Sequence, residues 1–189
     1  MMLRAAVLAL GLAIAGCGQQ VAPAEQEAVS APQLEAPTPE TEPSRVFAAA
    51  NEAAIAATGQ LTVSLATRMP DAGDENADAQ EILTLTGATG VAVEAQIVSA
   101  VSPATLVQGQ TLRALLSIPV EEPQVLVYRV LQETKAGGRG LCAADIVSHV
   151  VVWEPAVPGQ SDMKVLGVIG GAPGAGSARP CAMLEYRRA

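Results

Sequence analysis

From Leu61 onward the apolar residues fall into short runs separated by Gly, Pro and charged clusters. Leu61, Val63 and Leu65 alternate with Thr62 and Ser64, which is the period of a half-buried strand. Residues 81–86 and 90–99 repeat the pattern around Gly87 and Gly90. Residues 111–118 and 124–133 flank Glu121-Glu122-Pro123, a connection short enough to predict an antiparallel pair. Three more strands are predicted at about 146–154, 163–169 and 181–187. Pro155, Pro158 and Gly159 mark one turn between them and the Gly-rich stretch 170–180 the other. Lys135 to Gly140 reads as a loop. Ahead of these runs, Val46, Ala50, Ala53 and Ala57 recur at helical spacing. That predicts a short helix within 46–58, started by Ser44 and stopped by Gly59, with a strand from Ala54 onward as the competing reading. Many short strands with Gly and Pro turns predict a mainly β fold, an antiparallel sandwich or small barrel with one short N-terminal helix. Nothing in the pattern alternates strand with helix as a parallel sheet would.

Composition changes this picture in one respect. Half of the 189 residues are apolar, yet aromatics make up 2%: Phe47, Tyr128, Trp153 and Tyr186. Ala, Val and Leu must fill the interior, and each buries less area than an aromatic would. Covalent support would help such a core. The net charge is −8, from eleven basic and nineteen acidic residues. The chain has two lysines, Lys135 and Lys164, and its one tight basic pair is Arg187–Arg188. A phosphate-backbone binder needs clustered cations, so a nucleic-acid partner is not expected.

The first residues obey different rules. Arg4 and the amino terminus precede an uncharged apolar run from Ala5 to Ala15, followed by small residues. This is the layout of a signal peptide over residues 1–16, with a run too short for a spanning helix. Ile14-Ala15-Gly16-Cys17 resembles the lipobox of bacterial lipoproteins, although Leu is commoner at the first position. The resemblance implies cleavage before Cys17, diacylglycerol on its sulfur and, in many bacteria, acylation of the new amino terminus. Two or three acyl chains anchor stably where one binds marginally. Gly18 follows the cysteine, and the absence of Asp there leans, through the same resemblance, toward an outer-membrane lipoprotein facing the periplasm.

Residues 18–45 carry five prolines and the repelling carboxylates Glu25, Glu27, Glu35, Glu40 and Glu42. With almost no large apolar side chain, the segment cannot offset its ordering entropy and reads as a disordered tether. Its extended reach is roughly 80 Å. Together with the lipidated cysteine it spans 17–45, leaving 46–189 as a single β-rich globular domain.

With Cys17 assigned to lipid, Cys142 and Cys181 remain as an even pair in an exported, oxidising compartment. A disulfide is expected. Alternate strands of a meander lie too far apart for a direct bridge, so the loop before Ile146 must bend across or the two strands must pair. A redox-active pair and two free thiols are the other readings, and no C-x-x-C motif supports the former.

Candidate chemistry is sparse. His149 is the only histidine, predicted to share a strand face with Val147, Val151 and Trp153. A lone His offers no second ligand for a histidine-based metal site, and no G-x-S-x-G elbow accompanies it. The stretch around Gly170, Gly171, Gly174 and Gly176, with Arg179 nearby, lacks the Gly-Lys-Ser/Thr of a phosphate loop and reads as turns. Asp71, Asp74, Glu75 and Asp78 do not match EF-hand spacing and read as a solvated loop. No cofactor, metal or catalytic residue is assigned.

The expected function is that of a non-catalytic binding or interaction module of the cell envelope. Its partners would be the membrane, through lipid on Cys17, and an envelope protein or peptidoglycan. In architecture the combination resembles small lipid-anchored lysozyme inhibitors, which pair a lipobox with a disulfide-bonded β-domain; no inhibitor motif falls on these residues. A structural or assembly accessory lipoprotein is the second reading, and a hydrolase using His149 the third.

Overall fold

The computed structural model describes residues 42–69, 78–155 and 162–189. The lipobox, Cys17, the tether up to residue 41, Asp71, Asp74, Glu75 and the Pro158–Gly159 turn lie outside them. Within the described residues eight antiparallel strands close into a barrel. They are β1 (Arg45–Ala49), β2 (Leu61–Arg68), β3 (Gln80–Gly87), β4 (Ala92–Val101), β7 (Val125–Thr134), β8 (His149–Trp153), β9 (Asp162–Ile169) and β10 (Arg179–Arg188). Each pairs with its neighbour along the chain, and β1 pairs with β10 to close the ring. Of the two architectures expected from the pattern, the barrel is the one formed. Closure also removes free sheet edges, a hazard for a chain made of short strands.

Strand alternation gives the barrel two apolar layers. Phe47, Leu61, Val63, Leu83, Leu85, Val93, Tyr128, Val150, Met163, Val165, Leu184 and Tyr186 form the interior core. Val125, Val127, Val151, Trp153, Leu166 and Val168 occupy the opposite face of β7, β8 and β9 and form a second core outside the wall. That is why these strands read as nearly continuous apolar runs.

The outer core is roofed by the segment between β4 and β7. It holds a two-residue hairpin, β5 (Leu106–Val107) with β6 (Gln110–Thr111), and a short helix, α2 (Leu112–Leu116). Here the expectation of a strand over 111–118 paired with 124–133 is overturned: β7 pairs with β4 and β8. The helix forms because Thr111 caps it, accepting from the Ala114 N–H at 3.2 Å. Leu112 and Leu116, one turn apart, then share a face and bury completely.

The start of the domain also differs from expectation. Val46 to Ala49 belong to β1, where Phe47 is needed inside the barrel. The helix α1 is confined to Glu52–Ala57, capped by Asn51 rather than Ser44. The Asn51 side chain accepts from the Ala54 N–H at 2.9 Å. The helix ends at Thr58, and the Gly59 N–H returns to the Ala54 carbonyl at 2.9 Å. Ala54 is fully buried in the interior core, so α1 plugs one end of the barrel. Thr58 Oγ sits 2.7 Å from the Tyr186 hydroxyl beneath it.

Cys142 and Cys181 form a disulfide at the same end, with Cα atoms 5.3 Å apart. The segment before β8 bends across β9 to reach β10, one of the two routes the strand spacing allowed. It crosses at Gly167, where a Cβ would lie 2.8 Å from the Cys142 sulfur and 3.0 Å from that of Cys181. The absent side chain is the space the disulfide occupies.

Candidate functional site

The other end of the barrel is built differently. It is where β1, β7 and β10 place Arg45, Val125 and Arg188, and where β8 ends at Trp153. The inward positions of the strands carry on from core to rim. Phe47 gives way to Arg45 on β1, Leu83 to Glu81 on β3, Val152 to Glu154 after β8, and Tyr186 to Arg188 on β10. Alternation therefore places four ionisable side chains at one mouth. Just below them lies a cavity of about 300 Å³ lined by Val63, Leu65, Leu83, Tyr128, Val152 and Met163. Arg45, Glu122, Gln124 and Glu154 stand over it. The volume is at the lower end of the range of small-molecule sites, and an apolar wall with a few converging polar groups is their usual form.

The rim groups are connected. Arg45 donates to the Glu154 carboxylate and lies 5.8 Å from the centre of the Phe47 ring. Arg188 approaches the other oxygen of Glu154 at 3.8 Å. Two guanidinium groups thus share one carboxylate. The Tyr128 hydroxyl donates to Glu81 at 3.0 Å. Burial holds the Tyr128 pKa well above its ordinary value, and the Glu81 charge and hydrogen bond add to the shift while Arg45 opposes it. The phenol therefore keeps its proton at any physiological pH and serves as a donor, not as a nucleophile. Trp153 Nε1 donates to Glu122 at 3.3 Å, and its ring carries Lys164 at 5.9 Å from its centre.

None of these rim residues was singled out in the sequence as a site. The available signal was positional: in strands whose alternating residues are apolar, Arg45, Glu81 and Glu154 are charges at inward positions. Seeing it required knowing which face was inside.

The residues that were singled out lie elsewhere. His149 faces outward from β8 on the side of Val151 and Trp153, as expected, but Val147 packs in the interior core because the segment before β8 bends inward. His149 Nδ1 lies 3.2 Å from Ser148 Oγ, whose proton is directed to the Val168 carbonyl at 3.0 Å. Burial lowers the His149 pKa; a hydrogen bond with the Gly171 backbone raises it, and Arg129 adds to the lowering. His149 is not in the lining of the mouth cavity. The Gly-rich stretch is a tie rather than an anion loop: the Gly174 N–H donates to the Leu106 carbonyl at 2.9 Å, and Ala178 is buried in the outer core. At Gly170, φ is +79° and a Cβ would meet the Ser177 carbonyl oxygen at 2.4 Å, so the turn admits no side chain there. Among the described residues no group of three or more His, Cys, Asp or Glu could hold a metal ion.

Two further hollows flank the plugged end. One, of about 250 Å³, lies between α1 and residues 136–143. The other, of about 350 Å³, lies between α2 and β10 along Leu115, Leu166 and Met183. Neither is lined by an ion pair, as the mouth is by Arg45 and Glu154. Scans of the chain against protein-family models, curated proteins and solved structures each return no match.

Proposed function

We propose that this chain is a lipid-anchored binding protein of the cell envelope, held by acyl chains on Cys17, whose barrel mouth receives a small ligand with an apolar body. The observation that carries the reading is the asymmetry of the barrel. One end is plugged by α1 and cross-linked by Cys142–Cys181. The other keeps a cavity below a ring of charged and hydrogen-bonding side chains. A barrel of eight strands is just wide enough either to be filled by its own side chains or to hold one small molecule. The small aliphatic residues of this interior favour the second outcome at the mouth.

The role is binding rather than catalysis, because Tyr128 is held protonated and Arg45 and Glu154 neutralise each other. The lipobox resemblance supports an exported, lipid-anchored protein and Gly18 after it an outer-membrane location facing the periplasm, with the Pro- and Glu-rich tether as spacer. Native mass spectrometry of the chain purified from envelopes tests the reading. Wild type is expected to carry a small molecule that Leu65→Trp, which fills the mouth, excludes. Equal loading of both, with the variant folded, would place the ligand elsewhere.

A further inference from the structure

We infer that the mouth selects an amphiphile with a cationic head, an aliphatic or small-ring body seated against Leu65, Leu83, Val152 and Met163 with an ammonium or guanidinium group at Glu81 and Glu122. The inference rests on the mouth being the binding site and adds the chemistry of what enters it. Acidic groups outnumber basic ones at the rim, where Glu81, Glu122 and Glu154 face Arg45 and Arg188. Arg45 and Arg188 both engage Glu154, so the positive groups are already committed. Among the described residues, the carboxylates of Glu81 and Glu122 are bonded only to neutral donors, the Tyr128 phenol and the Trp153 indole. The Arg113 guanidinium is directed to the Glu122 backbone carbonyl at 3.4 Å, and Lys164 pairs with Glu185 at 3.6 Å.

Glu122 lines the cavity and Glu81 holds the hydroxyl of the lining Tyr128, so a ligand body entering the cavity displaces water beside Glu122 and beside the phenol that Glu81 accepts from. Desolvating a carboxylate without a counter-charge is unfavourable, so a ligand that brings a cation is retained and one that brings an anion is repelled. An anionic head would also have to break the Arg45–Glu154 pair to find a partner. The net charge of −8 acts in the same direction at long range.

The test is a calorimetric titration of the full chain carrying Cys17→Ser, so that no acyl chain is attached. The probes are decyltrimethylammonium, decyl maltoside and decyl sulfate, each kept below its micellar concentration. The cation is expected to bind about tenfold more tightly than the neutral probe, one tenfold step being a modest return for two nearby carboxylates at a partly solvated rim. The sulfate is expected to bind most weakly. Glu81→Gln with Glu122→Gln preserves both acceptors for Tyr128 and Trp153 and should bring the cation's affinity down to that of the maltoside on the same variant. Leu65→Trp should weaken all three. If the sulfate binds as well as the cation and Leu65→Trp still abolishes it, the charge selection is wrong and the mouth reading stands. If Leu65→Trp changes none of the three, both fail.

Discussion

Tyr128 and Tyr186 are the only tyrosines in the chain, and both are buried inside the barrel. The Tyr186 and Thr58 hydroxyls share a hydrogen bond at 2.7 Å, and Thr58 Oγ also lies 3.2 Å from the Ala54 carbonyl, so the plug and the wall are joined by a short hydrogen-bonded chain. Burial pushes the Tyr186 pKa up to about 12, the Thr58 hydrogen bond partly offsetting it, and Tyr128 is raised as well. The sign follows by linkage. A tyrosine that resists ionisation when folded ionises more readily unfolded, so its contribution to stability is complete below pH 10 and declines as pH rises toward the folded pKa. In an alkaline titration, tyrosinate absorbance should therefore appear in one step together with loss of β circular dichroism. Tyrosinate appearing near pH 10 in a still-folded barrel would show that the phenols are solvated. Tyr186→Phe removes one buried hydrogen bond and should lower stability by about 1–2 kcal/mol in a denaturant titration. At this scale the sequence was legible for core aliphatics and nearly blind for the site. Arg45 and Glu81 look like any strand charge until the ring closes and their positions turn inward.

Among the elements, pattern alone misassigned the roof over β7–β9, read as a strand, and β1, read as the start of a helix. Residues 111–118 contain Leu112, Leu115, Leu116 and Ile118, a spacing that short strands and single helical turns share. The decisive features were local. Thr111 can cap, and the run is rich in Leu rather than in β-branched residues, which favours helix. The short helix within 46–58 was legible, but its limits were not. The interior's demand for Phe47 overrode the Ala-rich propensity of its first half. The strands now called β2, β3, β4, β7, β9 and β10 were readable because alternation is enforced wherever one face is buried. The roof itself carries a prediction. Leu116 is fully buried between α2 and the outer face of the sheet. Leu116→Ala should destabilise by about 2–5 kcal/mol, and Thr111→Ala by about 1 kcal/mol. Both effects are measurable by denaturant unfolding. A neutral Leu116→Ala would mean that the outer core is not part of the cooperative unit.

At the scale of the barrel, the disulfide marks a cross-linked end and the cavity an open one. The parity of the cysteines pointed to the bond, and the bend of the 140–148 segment across Gly167 supplies the geometry that strand spacing alone forbade. Cys142 and Cys181 are 39 residues apart, and closing a loop of that length contributes about 4 kcal/mol in the chain-entropy account. Cys142→Ser with Cys181→Ser should lower stability by that order. Gly167→Ala should leave free thiols detectable in the folded protein, because its Cβ takes the space of the two sulfurs. What the barrel end does could not be read from the chain, since a cavity belongs to closure rather than to any segment. The central claim is that the mouth beneath Arg45, Glu81 and Glu154 is where this protein binds. The most direct measurement is methyl NMR of the chain during titration with decyltrimethylammonium. Shifts confined to Leu65, Leu83, Val152 and Met163, with Leu112, Leu116 and Val168 unmoved, are the predicted result. Shifts centred on the roof residues, or none at saturating probe, would contradict it.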